Sequence, residues 1–173
     1  PKERWIVDEI QEQRIRRRRV LLYVSQTGTR DIRQRLATVL KANGIKAQIM
    51  PDMDPSRRED WINAHADEMD VLITNPNLVK TGLDLLDFPT IVFFQCGYSV
   101  FTLRQASRRS WRIGQNLPVR VFYLAYAETM QDKALSLMAQ KMETSLAVEG
   151  ELSGQGLAAL SESENSMMYE LAK

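Results

Sequence analysis

Positions 104 to 115 read Arg104-Gln105-Ala106-Ser107-Arg108-Arg109-Ser110-Trp111-Arg112-Ile113-Gly114-Gln115. The arginines offer planar guanidinium forks, the side chains that best match the oxygens of a phosphate. On a helix of about 3.6 residues per turn, Gln105, Arg109 and Arg112 fall at i, i+4 and i+7 and share one face. Arg109 and Arg112 on that face can bracket one phosphate, and Gln105 can orient them or a water. Arg104 and Arg108 fall on a different face and read as an ion pair or a solvated surface. Trp111 reads as packing. The spacing predicts a helix over about 102–113.

The rest of the chain offers few alternatives. His65 is the only histidine and Cys96 the only cysteine, which excludes an internal disulfide and a Cys/His zinc cluster. His65 falls on a predicted helix and is given no role. Trp5-Ile6-Val7-Asp8-Glu9-Ile10-Gln11 imitates the magnesium-binding strand end of a nucleotide hydrolase. No Gly-x-x-x-x-Gly-Lys-Ser/Thr loop occurs to go with it, so it reads as part of a helix. Net charge is +1, but basic residues gather at 14–19, 30–35 and 104–112, while the end from 143 onward is mostly acidic. The run Arg16-Arg17-Arg18-Arg19 suits the negative end of a helix, or a solvated linker. No apolar run approaches the roughly 18 residues that span a membrane, and no signal peptide is visible. The expectation is an intracellular protein: cytoplasmic, nucleoid-associated or nuclear, with no membrane partner. Pro1 in place of Met predicts a piece of something longer.

The elements that must position these arginines alternate. Apolar, non-alternating runs at 20–24, 45–50, 70–74, 90–95 and 119–124 predict buried strands. Helical periodicity falls at 2–18, 30–43, 54–69 and 129–148, and Asn43-Gly44 marks one stop. The methionine stripe of the last helix reads as core packing. This is the pattern of an α/β domain in three layers, with a mainly parallel sheet flanked by helices. The expected organisation is a lead-in helix at 1–19, one domain at 20–148, and a linker with tail at 149–173. Ligands of such sheets gather beyond the carboxyl ends of the strands. Here those ends carry Ser25-Gln26-Thr27-Gly28-Thr29, Thr74-Asn75-Pro76-Asn77 and Cys96-Gly97-Tyr98, with the Gly82–Asp84 connection nearby, rich in hydroxyls, amides and glycine.

The order Val20 to Thr29, Asp70 to Asn77, Thr81-Gly82-Leu83-Asp84-Leu85, Thr90 to Gln95, then Gln105-x-x-x-Arg109-x-x-Arg112-Ile113-Gly114-Gln115 resembles the second RecA-like lobe of superfamily-two helicases. The ending is nearest the Swi/Snf-type remodelling ATPases, and the resemblance covers about residues 18 to 146. Trp111 stands where that family commonly has His, and Asp84 where Swi/Snf members usually carry Asn. The resemblance implies a RecA-like fold of the P-loop NTPase kind, and an ATP shared with a first lobe that holds the triphosphate and Mg2+. Arg109 and Arg112 would be arginine fingers on the γ-phosphate, with Gln105 orienting them or the attacking water. Gly82 would let the backbone approach closely and Asp84 would bond the ribose or an arginine. Ser25, Gln26, Thr27, Arg30, Thr74 and Asn75 would grip nucleic-acid phosphates without reading bases; singly, each also reads as a turn or cap residue.

The implied function is the second motor lobe of a DNA-dependent helicase or translocase ATPase, inactive by itself. Its partners are nucleic acid, with double-stranded DNA favoured, and the N-terminal RecA-like lobe of the same protein. The alternative is a non-catalytic nucleic-acid- or protein-binding module on the same fold.

Overall fold

The structure, a computed structural model, describes residues 1–25, 28, 31–79, 83, 85–95 and 100–148. The order of elements is α1 (Lys2–Ile15), β1 (Val20–Tyr23), α2 (Arg33–Ala42), β2 (Ala47–Ile49), α3 (Arg58–His65), β3 (Val71–Thr74), β4 (Thr90–Phe93), α4 (Val100–Ser107), β5 (Arg120–Tyr123) and α5 (Met130–Val148). Pro1–Gly97 with Phe101–Leu124 form one compact unit. Ala125 onward, carrying α5, belongs to a second unit.

Apolar runs without alternation require a sheet covered on both sides. The strands form one sheet in the order β2-β3-β1-β4-β5, with every pair parallel. Val20 lies beside Val71 on one side and Thr90 on the other, which sets the parity of the faces. Val20, Leu22, Val71, Ile73 and Val92 point to one face. There they pack with Ile6 and Ile10 of α1 and Leu36 and Leu40 of α2. The helix α1 is therefore part of the core of the unit rather than a lead-in to it, and the Asp8-Glu9 pair is helical, as its periodicity predicted. The opposite face carries an aromatic row. Tyr23 and Phe93 have ring centroids 4.9 Å apart, as do Phe93 and Tyr123. The end of α4 lies over this row: Tyr23 Oη donates to the Ala106 carbonyl at 3.4 Å, and Ser107 Oγ meets Tyr123 Oη at 3.2 Å.

The helices stop by the same device with different residues. At the end of α2, Gly44 takes a left-handed φ of 72°. Its N–H bonds the Lys41 carbonyl, and the Ile45 N–H bonds that of Leu40. At the end of α1, Arg17 takes this role with φ 54°, its N–H on Arg14 and that of Arg18 on Gln13. The arginine run thus ends the helix at Ile15, three residues earlier than its periodicity predicted, and continues as a turn.

That turn delivers Arg18 into a buried network below the sheet. Arg18 Nε donates to Thr90 Oγ1 (3.2 Å), and Arg18 Nη2 donates to the carbonyls of Pro89 (3.0 Å) and Pro118 (2.6 Å). Thr90 Oγ1 in turn donates to Gln13 Oε1 (3.0 Å). Burial is the main force lowering the Arg18 pKa, with Arg120 and Arg16 adding to it. The network joins α1, β4 and the approach to β5. Thr90→Val keeps the shape of the side chain but strands a guanidinium N–H and an amide oxygen. Urea unfolding should show a loss of about 1–3 kcal/mol; an unchanged midpoint would mean that the network contributes nothing to stability.

Candidate functional site

The segment with the arginines is not one helix. The helix α4 ends at Ser107, and residues 108–114 follow as linked turns. Arg108 N–H still reaches the Arg104 carbonyl at 3.1 Å. After that, Arg109 bonds Ala106 (3.4 Å) and Trp111 bonds Arg108 (3.3 Å), both one residue short of helical spacing. Beyond Ser107 the connection that precedes β4 takes hold of the main chain. The Arg109 carbonyl accepts from the Leu85 N–H at 3.1 Å. The Ser110 carbonyl accepts from Gln115 Nε2 at 3.0 Å, and the same nitrogen donates to Leu86 at 2.8 Å. These partners satisfy carbonyls that the missing helical turn leaves without an intrahelical donor. Gly114, at φ 102°, then reverses the chain.

The expected single face of Gln105, Arg109 and Arg112 is therefore corrected. Gln105 is on α4 and half-buried, whereas both arginines lie beyond its end. They also differ from each other. Arg109 is only 6% exposed, and its charge is felt by the fully buried Tyr23, whose pKa burial drives upward and Arg109 pulls back. Arg112 is exposed, and its carbonyl accepts from the Gln115 N–H at 3.0 Å. Trp111, expected to pack, is 66% exposed, because the helix that would have turned it inward has ended.

The strand ends form a clasp. Ser25 Oγ donates to the Gln95 carbonyl (2.9 Å), and Asn75 Nδ2 donates to the Ser25 carbonyl (3.0 Å), joining the ends of β4, β1 and β3. Asn75 Oδ1 also accepts from the Asn77 N–H. Thr74 is fully buried, with its hydroxyl toward Met50 Sδ at 3.4 Å. Of the expected phosphate contacts, Thr74 and Asn75 are thus occupied inside the fold, and Ser25 is half-buried in the clasp. Gln26, Thr27, Arg30, Gly82 and Asp84 lie outside the described residues.

Sequence reasoning assigned no role to Gln115 and Gly114. The available signal was their place at the end of the Gln-x-x-x-Arg-x-x-Arg-Ile-Gly-Gln motif, which marks them without giving a contact. Nothing there names Leu86, 29 positions earlier, as the partner.

The model of the helicase conserved C-terminal domain matches residues 1–114, well over half of the chain. The chain belongs to that family. No curated protein matches it in sequence. Among solved structures, this helicase C-terminal domain resembles the C-terminal part of the Fun30 ATPase domain, with TM-score 0.69 and 20% identity over 79% of this chain and 44% of that one. It also resembles the Pyrococcus furiosus Hef helicase domain, with TM-score 0.60 and 22% identity over 79% of this chain and 28% of that one. The chain thus spans less than half the length of either. Both likenesses are to the fold, an α/β fold of the RecA-like kind with a parallel sheet.

Two substitutions probe the turns of this helicase domain. Gly114→Ala imposes a left-handed conformation on a residue with a Cβ, 3.4 Å from Leu86 Cδ1, and should cost about 1–2 kcal/mol. Ser110 is fully buried and its hydroxyl has no hydrogen-bond partner among the described residues. Ser110→Ala removes a desolvated donor and should leave the melting temperature unchanged or raise it. A clear drop for Ser110→Ala, or none for Gly114→Ala, would contradict these turn assignments.

Proposed function

We propose that the chain is the second motor lobe of a DNA-dependent translocase ATPase, acting on ATP held by a first RecA-like lobe. Family membership supports the helicase-type ATPase class. The observation that carries the finer reading is the bond from the Leu85 N–H to the Arg109 carbonyl. It brings the arginine segment against Leu85, which in sequence directly follows Gly82 and Asp84, and family resemblance independently assigns both stretches to the nucleotide.

Guanidinium groups fit a triphosphate and its Mg2+ complex by charge and by their planar forks. ATP supplies the phosphoanhydride whose cleavage drives movement. Arg112, being exposed, meets the phosphate from the solvent side. Arg109 is held beside Tyr23 and contributes a cation in a dry setting, where a fixed charge acts most strongly on charge that develops during reaction. Gln105, on the preceding helix, orients Arg109 or the attacking water. Asp84 holds the ribose or an arginine, and Gly82 lets the backbone approach. Ser25, Gln26, Thr27 and Arg30 contact the DNA backbone, while Thr74 and Asn75 hold the strand ends that carry them. The preference for duplex DNA rests on the Swi/Snf-like form of the Arg-Ile-Gly-Gln ending.

In the intact two-lobed protein, Arg109→Ala and Arg112→Ala should each lower kcat by roughly 10³-fold or more, the scale of a lost arginine finger, while ATP binding changes little. Full turnover in both variants would reject the assignment. The chain by itself should hydrolyse ATP negligibly. Turnover by the isolated chain on the scale of a complete motor would contradict its place as half of a site.

A further inference from the structure

The Gln115 carboxamide lies where the two segments meet. Its Nε2 donates to Leu86 at 2.8 Å and to Ser110 at 3.0 Å, which uses both of its N–H groups. Its Oε1 accepts from the Leu117 N–H at 3.0 Å. Every polar group of the side chain is thus engaged by main chain, so its work is to hold rather than to bind. The main-chain groups it holds are well placed. Ser110 lies between Arg109 and Trp111, and Leu86 follows the residue whose N–H reaches the Arg109 carbonyl. The Gln115 N–H closes the turn on the Arg112 carbonyl at 3.0 Å. One side chain and two main-chain bonds therefore tie both arginines to the connection before β4.

We propose that Gln115 is a positioning residue, which locks the Arg109–Arg112 turns to the Leu85–Leu86 connection so that groups from both segments meet a nucleotide as one rigid unit. This rests on the reading that the arginines act on ATP. The geometry admits few substitutes. The site needs two donors aimed at two carbonyls and one acceptor for Leu117. Glu places carboxylate oxygens against both carbonyls, and Met keeps the length of the side chain without its donors.

The test uses the intact two-lobed protein with ATP and duplex DNA. Gln115→Met and Gln115→Glu should each lower kcat by about 10- to 100-fold, the scale on which displacements of about 1 Å act. KM for ATP should stay within about twofold. Added to Arg109→Ala with Arg112→Ala, neither should cause a further loss, because a residue acting through the arginines has nothing left to position. Hydrogen exchange at the Leu85 amide should accelerate in Gln115→Met. Wild-type kcat in both Gln115 variants, the same fold loss in the arginine-less background, or unchanged Leu85 protection would each overturn the positioning role. If Arg109→Ala and Arg112→Ala themselves turn over normally, the reading of the arginines fails instead, and the positioning role falls with it. If Gln115→Glu does not fold, Gln115→Met alone decides.

Discussion

A main-chain N–H deprived of water must find an acceptor, and Leu85 finds the carbonyl of Arg109. Much of the site follows from that bond. It draws the end of α4 toward the connection before β4. It also gives the Arg109 carbonyl the donor that a further helical turn would have supplied, beyond the point where α4 stops at Ser107 and the arginines emerge on turns. The cost of ending a helix early is offset by Gln115, which satisfies the Ser110 and Leu86 carbonyls with one amide. The buried hydroxyl of Ser110, without a partner among the described residues, shows where the offset is incomplete.

The sheet supplies the rigidity that such turns lack. Its central strands are buried on both faces, and its two ends are closed by different chemistry. Below, Arg18 joins β4, the approach to β5 and, through Thr90, α1 in one charged network. Above, the neutral Ser25–Asn75 clasp joins three strand ends. Between them, the Tyr23–Phe93–Tyr123 row gives α4 a flat aromatic floor and sets two phenol groups against its last turn. Tyr23 is fully buried there, and the Arg109 charge is near enough to offset part of the upward push of burial on its pKa.

The sheet was legible because burial on both faces writes itself into each strand as a continuous apolar run. Leu21-Leu22-Tyr23 and Leu72-Ile73-Thr74 needed no partner to be recognised. The stop of α2 was legible because Asn43-Gly44 is local chemistry. The stop of α4 was not. Its helical period continues through Arg112, and the turns beyond Ser107 are held by Leu85, 24 positions before Arg109, which no short window of sequence contains. The same holds for Trp111, whose exposure depends on that stop, and for Gln115, whose partner Leu86 is 29 positions away. The family resemblance found the arginines by type and order, but the distinction between buried Arg109 and exposed Arg112 is a property of the turns. Thr74 and Asn75 teach a related lesson. Polar residues at strand ends look like ligand contacts in sequence, yet the ends themselves need hydrogen bonds first.

The most direct measurement is the structure of the intact two-lobed protein trapped with ADP and a planar γ-phosphate mimic such as aluminium fluoride. An arginine finger predicts the guanidinium groups of Arg109 and Arg112 at about 2.7–2.9 Å from the mimic, with the bond from Leu85 to the Arg109 carbonyl kept. A mimic bound without either arginine in reach, and Arg109 still buried as in the single lobe, would contradict it.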